Sequence, residues 1–243
     1  MSLAIPDLLD LAQTPHSALF DGCRWPWEAL PRIGAFSARY GQPVLRGHIA
    51  PTAVIEGEVW IGEGTVVEPH AFIRGPAWIG KNCTVRKGAY VRGNVLVGDG
   101  CILGNSCEFK NCILFNEAVV PHFAYVGDSI LGHKAHLASG VTLSNVKVTP
   151  GNILVPVGGE KVDTGLRKFG AVIGDHAEVG CHCVLNPGSV IGRGSVLYPG
   201  LSWRGVCPPR TLVKLLQQHT QVVRMAPKGS GKIPPRGPLE PSP

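Results

Sequence analysis

Eleven apolar residues fall on one unbroken six-residue period: Ile49, Ile55, Ile61, Val67, Ile73, Ile79, Val85, Val91, Val97, Leu103 and Phe109. Four positions after each stands a smaller residue, from Ala53, Val59 and Thr65 to Cys101 and Cys107, with Ile113 the one larger occupant. A six-residue period with an aliphatic and a small residue at fixed offsets is a hexapeptide repeat, and its physical solution is a parallel β-helix. Each hexad supplies one short strand and one turn, and three hexads close a coil of about 18 residues. The aliphatic residue points inward and the polar positions face water. No coil buries its own core, so stability accrues only as coils stack at the usual strand spacing of about 4.8 Å.

After Phe109 the period drops one residue and continues at Leu114, Val120 and Val126. A second residue is dropped, and Leu131, Leu137 and Leu143 follow. After an interruption the pattern returns at Ile173, Val179, Leu185, Ile191 and Leu197. These 22 hexads amount to about seven coils. Both slips and the interruption fall between residues 110 and 172, and local rules fail most often at functional sites, so the chemistry is expected there.

The chain of 243 residues suits one elongated domain with small flanking pieces. Residues 1–45 read as an N-terminal cap of short helices and loops, including a helix through Trp27-Glu28-Ala29-Leu30. Residues 46–205 form the β-helix, with an inserted hairpin arm over 146–170. Residues 206–226 place Leu212, Leu215, Leu216, Val222 and Val223 at near-helical spacing and predict a C-terminal helix. Residues 227–243, rich in Pro, Gly, Ser and Lys, read as a disordered tail.

Among the eight cysteines, Cys83, Cys101, Cys107 and Cys183 sit at the small interior position, where a free thiol behaves as a small hydrophobe. That argues against a disulfide framework and for a reducing, cytoplasmic compartment. The start MSLAIPDLLDLAQ has no basic region and is not a signal peptide. No apolar run approaches the roughly 20 residues of a membrane span. The formal charge of +6 is scattered along the repeat rather than gathered into a basic stripe with aromatics, so an anionic small molecule is expected as partner, not nucleic acid.

Arg92 and Lys110 each follow an inward residue by one position and lie 18 residues apart, so they stack one coil above the other. Two adjacent cations repel unless an anion lies between them, which suits a phosphate clamp; two solvated surface cations are the alternative. His122 sits at a turn past the first slip, where an imidazole can serve as general base near neutral pH or be a polar surface residue.

The stretch Glu108-Phe109-Lys110-Asn111 through His122-Phe123-Ala124-Tyr125-Val126-Gly127-Asp128-Ser129 to Asn145 resembles the C-terminal acetyltransferase domain of bifunctional sugar-1-phosphate nucleotidylyltransferase/acetyltransferases. These include the UDP-N-acetylglucosamine pyrophosphorylase/glucosamine-1-phosphate acetyltransferases. The insertion ending Thr164 to Gly174, and Trp25 to Leu30, bring it nearer the archaeal glucose-1-phosphate thymidylyltransferase-like branch. The resemblance covers roughly residues 25–205. It implies a left-handed β-helix, a cytoplasmic homotrimer with active sites between subunits, a role in nucleotide-sugar metabolism, and acetyl-CoA as co-substrate with no metal required. It makes His122 the base that deprotonates an amino sugar, with Glu108 beside it. Arg92 and Lys110 would bind the sugar phosphate, and Tyr125, Asn145 and Lys168 would contact sugar or phosphate. Ser139 and Cys181 would lie near the thioester, and the arm would reach a neighbouring subunit.

There are departures. His136 stands where the family has a sugar-contacting Asn, and Ala138 replaces a Gly of the usual Gly-Ala-Gly turn. No Gly-rich nucleotide loop precedes residue 45. Three other readings compete. One is a non-catalytic scaffold or regulatory partner of a sugar nucleotidyltransferase, and another is a sugar-nucleotide-binding acyltransferase with a different acyl donor. The third, a zinc enzyme, needs a His-x4-His pair, which neither His133/His136 nor His176/His182 provides; Cys181-His182-Cys183 cannot converge, because Cys183 points inward.

Overall fold

A computed structural model describes residues 2–218. The expected all-β, left-handed parallel β-helix is the observed fold. Successive short strands fall on three faces. The first face holds nine parallel strands, from His48–Ile49 to Leu212–Val213. The second holds eight, from Val54–Glu56 to Ser202–Trp203, and the third eight, from Val59–Ile61 to Val206–Cys207. The on-period residues fill the axis from Ile61 and Val67 to Ile191 and Leu197, and Phe109, the largest of them, is fully buried.

The repeat is longer than the expected seven coils. Trp203, Cys207 and Val213 continue the inward column, so the last coil is built where the C-terminal helix was expected. Val206–Cys207 and Leu212–Val213 are strands, and residues 214–218 are irregular. The remainder of that helix, and the tail 227–243, lie outside the described residues. Two features hide this coil from the period: Trp203 and Cys207 do the packing that Ile or Val does elsewhere, and the coil is short, so that Cys207 pairs with Ile191 and Val213 with Leu197 two residues ahead of the regular spacing.

The third face departs from the inward-apolar, outward-polar rule. Its strands are apolar at every position but Ser189, and Val95–Val97, Cys112–Leu114 and Ala171–Ile173 are buried throughout. The outward residues Leu96, Ile113, Phe115, Ile130, Val172 and Val190 form a second apolar layer with Leu8, Leu19, Phe20, Trp27, Leu30 and Ile33 of the N-terminal segment. That segment is a string of short helices, from Ile5–Leu8 to Ala38–Tyr40, laid along this face. A strand covered on both sides reads as a continuous apolar run, as here.

Asp175, fully buried at the corner from the third face to the first, fastens the cap. It accepts the backbone N–H of Asp10 and of His133, both at 2.8 Å, and pairs with Arg193. Arg193 also donates to the Pro6 carbonyl, and the Asp175 N–H donates to the Leu8 carbonyl.

The inserted segment leaves the second face after Leu143 and returns at Ala171. Leu154–Val157 and Glu160–Asp163 pair as an antiparallel hairpin around Gly158-Gly159. Both glycines have positive φ, as a two-residue hairpin turn demands. The base of the arm packs on its own chain. Ile153, Val155 and Phe169 are buried in the apolar layer that the cap shares, and the Phe169 ring lies 5.7 Å from that of Trp27. Gly188 is required beneath it, since a Cβ there would come within 2.7 Å of the Ile153 side chain.

All eight cysteines are unbridged. Among the described residues no helix is long and apolar enough to cross a membrane.

His16 of the cap is fully buried among Phe36, Tyr40 and Trp78, with Nδ1 hydrogen-bonded to the Tyr40 hydroxyl and Nε2 without a partner. Burial pushes its pKa down to about 4, against a smaller pull upward from the Val97 carbonyl and Asp99. The unfolded chain therefore holds a proton that the native state refuses between about pH 6.5 and 4. The stability that neutral His16 allows is complete above pH 6.5 and is lost as the pH falls towards 4, by about 3 kcal/mol. Urea unfolding across this range should show that slope, and His16→Phe should flatten it by a similar amount.

Candidate functional site

Stacking turns sequence positions into columns, and the columns decide which of the expected site residues meet. At the corner from the first face to the second, Asn105 pairs with His122, and the next coils place Ser139 and then Cys181 above it. The Gly140 N–H donates to the His122 carbonyl at 3.1 Å and the His182 N–H to the Ser139 carbonyl at 2.9 Å. His122, Ser139 and Cys181 therefore rise along one corner in successive coils. His122 is exposed, and its ring has Phe123 as neighbour at 6.3 Å. Phe123 is 63% exposed and left-handed, with φ of 52°. Gly88, Ser106, Gly140, His182 and Gly200 share that left-handed conformation in the other coils, so the corner imposes it.

The remaining residues gather across the second face. Arg92 and Lys110 occupy neighbouring coils, as the spacing predicts, because Val91 pairs with Phe109. The protein already neutralises both. Arg92 donates to Glu108 at 2.5 Å, and Lys110 donates to both carboxylate oxygens of Asp128 at 3.1 Å. The gap between them thus needs no external anion to be tolerated, which removes the electrostatic argument that a phosphate must fill it. Glu108 partners Arg92 and makes no contact with His122 among the described hydrogen bonds. The hydrogen bond to Glu108, and after it the Glu108 charge, raise the Arg92 pKa.

Asp128, which is not among the site residues expected from the sequence, is the organising residue. It is 3% exposed and also accepts from the side-chain amides of Asn111, at 2.8 Å, and Asn145, at 2.5 Å. Asn145 donates in turn to the Tyr125 hydroxyl at 3.1 Å. The Tyr125 ring lies over Gly127, where any Cβ would collide with it. Burial raises the Tyr125 pKa, partly offset by Asn145. A signal for Asp128 existed: the two dropped residues fall at Asn111 and Asp128, one coil apart, and Asn145 opens the insertion one coil later. In space the slips do not lie beside His122. They form the opposite corner of the second face.

Lys168 is exposed, and its backbone bridge to Val146 sets it beside Asn145. His136 is half-buried on the first face in the column of Val119, three residues upstream of the His122 column and so about 10 Å away along the strand. Lys110, Asn145, Tyr125 and Lys168 are thus brought to one end of the second face, His122, Ser139 and Cys181 to the other, and His136 to neither. Among the described residues no group of three or more His, Cys, Asp or Glu is placed to hold a metal.

Removing a nearly buried carboxylate strands the cation and the amides around it, so Asp128→Ala should lower stability by about 2 kcal/mol or more. Glu56→Ala breaks a pair whose side chains are about half exposed, Arg74 at 53% and Glu56 at 47%, and should cost less than about 1 kcal/mol. Denaturant midpoints of the two variants decide between these; equal losses would remove Asp128 from its organising role.

Residues 73–165 match the family described as the GMPPB C-terminal domain. The bifunctional protein GlmU of Methanococcus aeolicus is 42% identical over 151 residues, covering 62% of this chain and 36% of that protein. The GlmU of Methanococcus maripaludis strain S2 is 40% identical over 172 residues, covering 71% and 41%. A bifunctional sugar-1-phosphate nucleotidylyltransferase/acetyltransferase of Sulfurisphaera tokodaii is 33% identical over 98 residues, covering 40% and 24%. The chain spans less than half the length of these relatives. By sequence over about 70% of its length, this β-helical chain is a homologue of part of the bifunctional GlmU and sugar-1-phosphate nucleotidylyltransferase/acetyltransferase proteins.

Proposed function

We propose that the chain transfers an acetyl group from acetyl-CoA to the amino group of an amino-sugar 1-phosphate, glucosamine-1-phosphate or a close analogue. The observation that carries the reading is the corner column. His122, Ser139 and Cys181 stand in successive coils, in a chain homologous to proteins named as acetyltransferases.

In this reaction His122 removes a proton from the neutral sugar amine as its nitrogen attacks the thioester carbonyl. The carbonyl oxygen takes up negative charge, which backbone N–H groups at the Ser139 and Cys181 turns stabilise. The C–S bond then breaks, and the departing thiolate takes the proton from His122. Arg92 and Lys110 hold the phosphate, Lys168 adds a third cation, and Tyr125 and Asn145 contact the sugar. Orientation of this kind turns a bimolecular encounter into a positioned one. Because cap and arm cover the third face, the first and second faces and the exposed Phe123 are left to meet neighbouring subunits, which suits a homotrimer with sites between protomers.

A second reading is favoured by one observation: both cations of the expected clamp are satisfied internally, so the chain could serve as a non-catalytic partner of a sugar nucleotidyltransferase. Thiol release from acetyl-CoA with glucosamine-1-phosphate or galactosamine-1-phosphate separates the two. Turnover is expected, and His122→Ala should lower kcat by about 10²–10⁴-fold with little change in stability. Full activity in His122→Ala would sink the mechanism. Acetyl-CoA binding without turnover of either sugar would favour the non-catalytic reading.

A further inference from the structure

The arm builds a cleft whose lining includes none of the residues assigned to acetyl transfer. It lies where the hairpin meets the corner from the second face to the third, and has a volume of about 480 Å³. Its charged lining is Lys147, Lys161 and Arg204, with no Asp or Glu among the lining residues. Neither Lys161 nor Arg204 has a carboxylate within ion-pairing distance among the described residues. The Lys147 ammonium donates to the Asn152 carbonyl at 2.6 Å, which fixes its position and leaves further N–H bonds for a ligand. Leu154, Pro156 and Pro187 supply an apolar wall beside these cations, and Leu154 is 45% exposed.

The cleft is preformed. Val155 and Ile153 anchor one strand of the arm in the second apolar layer, and Gly188 admits Ile153 against the coil. The other strand carries Lys161, and its register is fixed by the pairing of Val155 with Val162 and of Pro156 with Lys161. Arg204 comes from the strand end one coil above Asn186, since Leu185 pairs with Trp203. Three cations held by separate segments converge without a counter-ion among the described residues, which leaves them to be neutralised from outside. The contrast with the cleft beside Trp60 and Trp78 is instructive: there Arg46 and Lys81 are matched by Glu63 and Asp99.

We propose that this cleft binds the diphosphate group of a nucleotide, with the nucleoside against the Leu154, Pro156 and Pro187 wall. Three cations match the charge of a diphosphate. The volume lies in the range of small-ligand pockets, and an apolar wall beside a cationic end suits an amphipathic anion. The site shares no residue with the His122 corner or the Asp128 cluster, so it stands whether or not acetyl transfer is the reaction.

Isothermal titration of the full chain with ADP, inorganic pyrophosphate and adenosine tests this. ADP should bind, pyrophosphate more weakly, and adenosine not measurably, with affinity falling as salt is raised. The exposed pair of substitutions Lys161→Ala and Arg204→Ala should weaken ADP at least about tenfold while leaving the thermal midpoint unchanged. His122→Ala should bind ADP as the parent does, so failure here and failure of the acetyltransferase reading are told apart. The inference is overturned if the parent does not bind ADP or if the double variant binds it equally well. Pyrophosphate binding as tightly as ADP would overturn the nucleotide assignment.

Discussion

Parallel strands stacked about 4.8 Å apart convert a one-dimensional repeat into vertical columns, and every other feature of this protein depends on that conversion. Residues one coil apart in sequence become direct neighbours whether or not their chemistry is compatible. The inward column gains from this, because each Ile, Val or Leu buries its neighbours in the adjacent coils. The outward columns must manage it, and each face does so differently. The second face stacks Arg74, Arg92 and Lys110 in consecutive coils and gives each its own carboxylate, Glu56, Glu108 and Asp128. The third face abandons charge and is buried again beneath the cap and the base of the arm.

That burial has a functional consequence. A face covered by its own chain cannot also be a ligand surface or a subunit contact, which leaves the first and second faces and the corner between them. The residues of the proposed reaction lie there, and the arm has its own basic cleft on the other edge of the second face. The cap is therefore more than an end-piece. By occupying the third face along much of its length, it directs function to the remaining surface.

The period made the fold legible, but an 18-residue super-period within it carried as much information. Trp60, Trp78 and Leu96, then Ile113 and Ile130 after each dropped residue, then Val172 and Val190, place an apolar outward residue once in every coil. Those residues mark the covered face. The dropped residues were visible as slips, but their meaning was not, because only the stacked corner shows Asn111 and Asp128 bonded to each other and to Asn145. The last coil was hidden for a simpler reason. Packing requires volume rather than a residue type, so Trp203 and Cys207 satisfy the column without satisfying the pattern. Spacing does stack Arg92 on Lys110, yet it is silent on which acids reach them. Partner choice depends on side-chain reach across coils.

Burial then ranks the three ion pairs of the second face. Glu56–Arg74 is about half exposed on both sides, so solvent screens it and it adds little. Arg92–Glu108 is intermediate, with side chains 44% and 33% exposed, so the guanidinium can keep Glu108 on one N–H and offer others to an incoming oxyanion. Lys110–Asp128 is different: the carboxylate is 5% exposed and saturated by two amides besides the ammonium. Releasing Lys110 would leave a buried charge short of its counter-ion, which costs more than a surface phosphate contact returns. Within one face, Lys110 therefore acts as a fixed positive edge whose geometry Asp128 sets, and Arg92 is the cation able to turn towards a ligand. A phosphate bound here would add to the existing pairs rather than replace them, and its affinity would rest on Arg92 first.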